Sequence, residues 1–221
     1  KDAQELTLKM PVWAPGYYLI MDFPKHLTDF AIHDADDKEV SWKKEGKNAW
    51  IVPTTNGQPL KVTYRIYANA RSVADSRVES HTAFIAPNGV FMYAEGEKDE
   101  PIEVTYILPD NWKNASSGLK EKDNTHKGHR TFVANDFDIL YDSPVLLGNH
   151  LVKKFTHEGH EYEFALETPD GFEESTFEDD FRKMVTASSR MMGHVPYDNY
   201  CLIHLGRGPG GLEHSNSQAC Y

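Results

Sequence analysis

The residues best suited to chemistry gather near one end of the chain. Gly206-Arg207-Gly208-Pro209-Gly210-Gly211 runs directly into Leu212-Glu213-His214. The first six residues fit G-x-G-x-x-G, which cradles a phosphate when a helix N-terminus follows it. Here LEHSNSQA follows without a helical stripe, and Pro209 sits inside the loop. The spacing therefore argues against a nucleotide site. A strand-to-strand connection, with glycines supplying positive φ, is the simpler reading. Glu213 stands apart from that reading. Glycines let a substrate backbone come close, and a carboxylate just past them suits an ammonium group where a peptide's first residue stops.

Other reactive side chains have blander explanations. His157-Glu158-Gly159-His160-Glu161 falls one residue short of H-E-x-x-H, and in a strand-like context its two histidines point to opposite faces. His126 and His129 lie in the polar stretch THKGH. Both pairs read as exposed loop histidines, not as metal ligands. There is no G-x-S-x-G nucleophile elbow. Cys201 and Cys220 are the only cysteines, and both lie in the last segment. They cannot staple the body of the protein, although neighbouring strands could bring them together as a bridge. Cys201 falls in an apolar strand, which disfavours a catalytic thiol. Trp13, Tyr17, Tyr18 and Phe23 cluster in PVWAPGYYLIMDFPKHL. Packing in a core or domain interface is the expected role of such rings, ahead of a ligand platform. Pro11, Pro15 and Gly16 predict a rigid bend between two strands. Asn114-Ala115-Ser116 is a glycosylation sequon of a kind common by chance.

The elements that must position these residues follow from periodicity. Leu6, Leu8 and Met10 alternate with polar residues, as do Val62, Tyr64, Ile66 and Ala68. The same holds for Ile102, Val104, Tyr106 and Leu108, and for Tyr162, Phe164 and Leu166. Period two predicts strands with one buried face. Turn-forming residues fill the gaps, as in PTTNGQP and LPDNW. No helical stripe is expected before Pro169, so residues 1–168 read as an all-β domain, an antiparallel sandwich or a saddle of sheets. After TPDG a helix is predicted. Phe177, Phe181, Met184, Val185, Ser188, Met191 and Met192 recur at spacings of three and four. Ser175 with Glu178 fits a capping box, and Gly193 before Pro196 fits a C-cap. YDNYCLIHL reads as one strand and LEHSNSQACY as another. Residues 169–221 thus read as the beginning of a second, mixed domain. One helix and two strands are too few to fold alone, so this part packs on the β-domain or continues in a longer protein. The first residue is Lys1, and the ending Ala219-Cys220-Tyr221 reads as a cut inside a strand.

Composition bounds the function. The chain has 221 residues, with 23 Lys plus Arg against 34 Asp plus Glu and a formal net charge of -11. Without a basic patch, nucleic-acid binding is disfavoured. No apolar run approaches the roughly 20 residues of a membrane span. A hydrophobic content of 39% is enough to build a core.

Four stretches, in order, carry a family resemblance: MPVWAPGYYLIMDFPKHLTDF, VTYRIYANARSVADSRV, DFDILYDSPVLLG at 136–148, and GPGGLEHSNS. Together, from about Leu6 to Tyr221, they resemble the glycyl aminopeptidases, zinc metallopeptidases of the thermolysin-like gluzincin type. The resemblance implies an N-terminal β-domain, then an α+β thermolysin-like catalytic domain, then a PDZ-like domain. It implies zinc held by H-E-x-x-H and a further Glu, and these ligands do not occur in the 221 residues. The chain alone is thus expected to bind no metal, carry no catalytic residue and hydrolyse nothing. Gly210-Gly211-Leu212-Glu213-His214 is similar to the Gly-Ala-Met-Glu-Asn strand of related aminopeptidases. By that likeness Glu213 would bind the free α-amino group of a peptide substrate, with Gly210 and Gly211 lending backbone groups. The implied reaction is removal of N-terminal glycine or alanine. A non-enzymatic β-sandwich binding module, or a catalytically dead relative, is the alternative expectation.

Overall fold

The computed structural model describes residues 5–53, 58–123, 125–169 and 171–221. Most of the turn expected in PTTNGQP, and Asp170 of TPDG, lie outside the described residues. The strands are β1 (Glu5–Lys9), β2 (Leu27–His33), β3 (Lys43–Glu45), β4 (Ala49–Pro53), β5 (Lys61–Ile66), β6 (Arg77–Val78), β7 (Thr82–Ile85), β8 (Tyr93–Ala94), β9 (Ile102–Ile107), β10 (Asn114–Ser117), β11 (Lys120–Lys122), β12 (His129–Ala134), β13 (Val145–Gly148), β14 (Leu151–His157), β15 (His160–Leu166), β16 (Asn199–His204), β17 (Gly211–Glu213) and β18 (Ser217–Cys220). The helices are α1 (Phe137–Tyr141) and α2 (Glu174–Met192), with 3-10 turns at Phe23–His26 and Pro87–Gly89. The four alternating segments of the sequence all form strands, and the fold is mainly β as expected.

These strands form layers. The sheets β3-β4-β1-β8 and β2-β5 enclose one core of Leu8, Met10, Phe23, Ile32, Trp50 and Val52. A second stack is built around the sheet β10-β13-β7-β6, both of whose faces are covered. Ala83, Val145 and Leu147 face the sheet β11-β12-β9 in one core, while Phe84 and Leu146 face the other way. That alternation is the two-residue pleat at work. On the second face lies the sheet β14-β15-β16-β18-β17, which contributes Ala165, Cys201, Ile203, Leu212 and Ala219 to the shared core. Its outer face carries Tyr162, Phe164 and Leu202, which pack against Phe181 and Val185 of α2. Strands β15 and β16 are parallel, and α2 is the crossover that a parallel pair requires.

Several expectations need correction. A short helix, α1, forms before Pro169. Asp136 caps it by accepting from the Ile139 N–H at 2.7 Å, and Phe137 and Leu140 bury its inner side. Five residues are too few to show a stripe. The capping box at Ser175 does not form. Helix α2 starts two residues earlier, at Glu174, with no side-chain cap at Glu173, and Glu178 pairs instead with Arg182 at 2.6 Å. Gly193 does end the helix in the left-handed conformation, at φ 87°. The apolar stripe is buried only in part, since Met184, Met191 and Met192 are exposed. LEHSNSQACY is two strands, not one. The turn at 214–216 folds it into the hairpin β17–β18, closed by a bond from the His214 N–H to the Ser217 carbonyl at 2.8 Å.

Candidate functional site

Among the described residues, strand β17 is the edge of its sheet and pairs only with β18. The glycine run lifts the chain over β18 to reach that place, because β18 inserts between β16 and β17. Gly206 and Gly210 adopt φ of 91° and 112°, values open to glycine at little cost. A Cβ on Gly208 would lie 2.8 Å from the Tyr221 ring, so the loop packs where only glycine fits. The run is thus a strand-to-strand connection, and no helix begins there.

The ladder fixes which backbone groups of β17 are available. The His214 N–H bonds to Ser217, and the Tyr221 N–H bonds to the Gly210 carbonyl at 3.1 Å. In an antiparallel pair, hydrogen-bonded and non-hydrogen-bonded positions alternate. With 210 and 214 bonded inward, the N–H and C=O of Gly211 and Glu213 turn toward the open edge. Gly211 therefore offers backbone groups to a neighbour, whereas the Gly210 carbonyl is already used.

Glu213 itself is exposed, while Leu212 beside it is 3% exposed and anchors the strand in the core. Among the described residues no side chain forms an ion pair with its carboxylate. Two segments of the β-domain close around it. The loop carrying Gly16, at φ 77°, comes so near that a Cβ there would lie 3.3 Å from the Glu213 carbonyl and 3.0 Å from Leu212 Cδ1. From the other side comes Asp142, at the end of α1. It pairs through Oδ1 with His214 Nδ1 at 2.8 Å, and its Oδ2 accepts from the Ser215 N–H at 3.0 Å and the Ser215 hydroxyl at 2.9 Å. Burial pushes the Asp142 carboxyl up, but His214 and Ser215 outweigh it and hold the group below its usual range. Below this pair, Asn199 and Asn216 both donate to the Gly118 carbonyl, at 2.9 and 2.7 Å.

The structure places Gly211 and Glu213 on the edge strand β17, with Gly210 immediately before it. Sequence reasoning missed Gly16 and Asp142. Both lie inside stretches quoted for the resemblance, but nothing in their spacing links them to a glutamate some 70 or more residues away. The other candidates settle differently. His157 and His160 are not on one strand. They are directly opposed at the end of the hairpin β14–β15, because Glu158-Gly159 turns the chain between them. His157 Nε2 lies 2.8 Å from the Thr186 hydroxyl, and His160 meets Tyr197 edge to face. His126 and His129 stack at 5.2 Å. Among the described residues no three His, Cys, Asp or Glu side chains converge as a metal site. The described residues thus do not fit a zinc ion. The early aromatics divide. Phe23 is buried and Tyr17 half-buried, whereas Trp13 is 41% and Tyr18 93% exposed. Cys201 and Cys220 are both free, in staggered register on β16 and β18. Asn114 of the sequon sits in β10 and donates to the His150 carbonyl at 2.8 Å.

No curated protein matches the chain. An aminopeptidase N family protein from Idiomarina loihiensis superposes with a TM-score of 0.90 at 27% identity, over 99% of this chain and 38% of that one. An M1 zinc metallopeptidase from Deinococcus radiodurans gives 0.57 at 12% identity, over 98% of this chain and 52% of its own. Yeast LTA4 hydrolase gives 0.58 at 12%, over all of this chain and 35% of its own. The last two show a shared fold alone. The chain spans well under two thirds of each. Residues 1–149 match the Peptidase M61 N-terminal domain model, and the chain belongs to that family.

Proposed function

We propose that this chain is the front part of a zinc aminopeptidase of the glycyl aminopeptidase type, which removes N-terminal glycine or alanine from peptides. The β-layers are its scaffold, and β17 is its substrate strand. Glu213 holds the peptide's α-ammonium group, and Gly211 pairs with its backbone. Gly210 supports the strand through its bond to Tyr221.

One observation carries this reading. The open edge at Gly211 runs into the Gly16 loop, which sits on the carbonyl of Glu213. An extended peptide laid along that edge has to stop there, and its end then lies beside an unpaired carboxylate. That is the geometry of an enzyme acting on chain ends. Zinc, the general base, the rest of the catalytic domain and a PDZ-like domain belong, in this reading, to residues outside these 221. The chain by itself hydrolyses nothing. We place the start of the catalytic unit near residue 150, where the matched family region ends, and not at 168. Strands β14 and β15 share a sheet with β16–β18, and a division at 168 would cut that sheet.

The test is Glu213→Gln in the intact protein. Losing a charge-assisted bond costs about 1.5–3 kcal/mol, so kcat/KM on peptides with free N-termini should fall roughly 10- to 100-fold with zinc content unchanged. Unchanged turnover would remove the amine-holding role. A second reading, a binding module, is favoured by the exposed tip Tyr18, Leu19 and Ile20. It predicts an intact protein that binds a partner through this tip and cleaves no peptide.

A further inference from the structure

The carboxylate of Asp142 is 12% exposed and the His214 ring 5%. Burying a carboxylate is costly unless its oxygens are satisfied. Among the described residues the hydrogen bonds of this one go to the two residues that follow Glu213, 72 and 73 positions away in sequence. Asp142 is itself held firmly. It ends α1, whose Phe137 and Leu140 are 2% exposed in the core of the β-domain, and Ser143 next to it bonds back to the Ile139 carbonyl at 2.8 Å. The position of the 214–215 turn is therefore set by the β-domain. So is the exit direction of the edge strand. Pairing with β18 fixes only the plane of that strand, since β17 is three residues long and has one neighbour. Glu213 is the last residue of that short edge, and the 214–216 turn follows it at once.

We propose that Asp142 is the positioning residue for Glu213, acting through His214 and Ser215. This rests on the aminopeptidase reading above. His214 is then no substrate ligand. Its Nδ1 faces Asp142, and its Nε2 is buried with no partner among the described residues. The β-domain thereby takes part in recognising the substrate's amino group without touching it.

The test uses the intact protein and three single variants, Asp142→Asn, Asp142→Ala and Ser215→Ala, with Glu213→Gln and the double variant Asp142→Ala/Glu213→Gln. The readout is the ratio of kcat/KM for a free-amine peptide to that for its N-acetylated form, with zinc content and thermal unfolding measured in parallel. Misplacing a binding group by about 1 Å can cost on the order of 100-fold. Asp142→Ala should lower the ratio about 10- to 100-fold, and Asp142→Asn and Ser215→Ala should lower it less. The double variant should match Glu213→Gln to within about threefold, because a residue that works only through Glu213 has nothing left to position. Multiplying effects in the double variant, or an unchanged ratio in a folded Asp142→Ala or Ser215→Ala, would overturn the proposal. If Asp142→Ala does not fold, Ser215→Ala and Asp142→Asn decide the question in the same way. An unchanged ratio in Glu213→Gln would instead count against the aminopeptidase reading itself.

Discussion

Gly16→Ala tests whether the N-terminal loop truly rests on the edge strand. Two costs are expected. At φ 77° a residue with a Cβ enters the left-handed region, at about 1–2 kcal/mol. The Cβ would also lie 3.0 Å from Leu212 Cδ1 and 3.3 Å from the Glu213 carbonyl. Leu212 is 3% exposed and cannot swing aside freely. Overpacking of this kind costs about 1–3 kcal/mol. Gly46→Ala is the control. Gly46 has φ 62°, and nothing lies within 4 Å of its would-be Cβ. It carries the backbone cost alone, and both variants gain the same small benefit from a stiffer unfolded chain. The difference between them isolates the contact, at about 2 kcal/mol. For a chain of this size that is roughly 4–8 °C in melting temperature. The assay is thermal unfolding of wild type and both variants in one buffer. If Gly16→Ala melts within about a degree of Gly46→Ala, the space is not filled. The loop then does not seat on β17, and the stop on which the proposed substrate edge depends does not exist.

Two further predictions concern contacts that hold the layers together. Arg77 on β6 grips Glu167 at 2.6 and 2.7 Å and Glu79 at 3.0 Å, with 5% and 9% of the Arg77 and Glu167 side chains exposed. Arg77→Ala strands a buried carboxylate and should cost about 3–5 kcal/mol by urea unfolding, while Arg77→Met/Glu167→Leu should recover most of it; a single-variant loss under about 1 kcal/mol would refute this. His150 is 5% exposed, its Nε2 lies 2.9 Å from the Ser116 hydroxyl, and burial pushes its ring down to about 4. The folded state thus favours the neutral ring, so this stability is complete above about 6.5 and is lost as pH falls toward about 4, to a limit of about 3 kcal/mol. Urea titrations across that window should show the acid loss shrink in His150→Gln, and an unchanged slope would remove His150 as its source.

The strands were legible because one-face burial prints its period on the sequence. Val62, Tyr64 and Ile66 are each half-buried between exposed neighbours in β5, and Tyr162 and Phe164 are buried in β15. Helix α2 was legible for the same reason over its first half, where Phe177, Phe181 and Val185 meet the sheet. What failed was local. Ser215 and Asn216 are turn formers, but without glycine or proline beside them His214-Ser215-Asn216 reads weakly as a hairpin turn. Besides its own backbone bond from His214 to Ser217, that turn is held by a side chain from outside, Asp142, which no local pattern reveals. The five-residue α1 is set in the same way by its Asp136 cap and by two buried side chains.

The same physical fact explains why the unit boundary and half of the candidate site could not be read from the sequence. Alternation says that a strand has a buried face, and it does not say which sheet the strand joins. Strands β14 and β15 alternate like those before them, yet β15 pairs in parallel with β16 across the whole of α2. The boundary between units is therefore a matter of long-range pairing, not composition. Glu213 obeys the same rule. The glycines and the acid are adjacent in sequence, so their partnership could be read. Gly16 and Asp142 reach them only because the β-domain and the five-stranded sheet share one core, through Phe84, Leu146, Ala165, Ile203 and Leu212. A strand three residues long cannot hold a carboxylate in place by itself. It is held because that shared core brings two β-domain residues to it, one over the Glu213 carbonyl and one beneath the turn that follows.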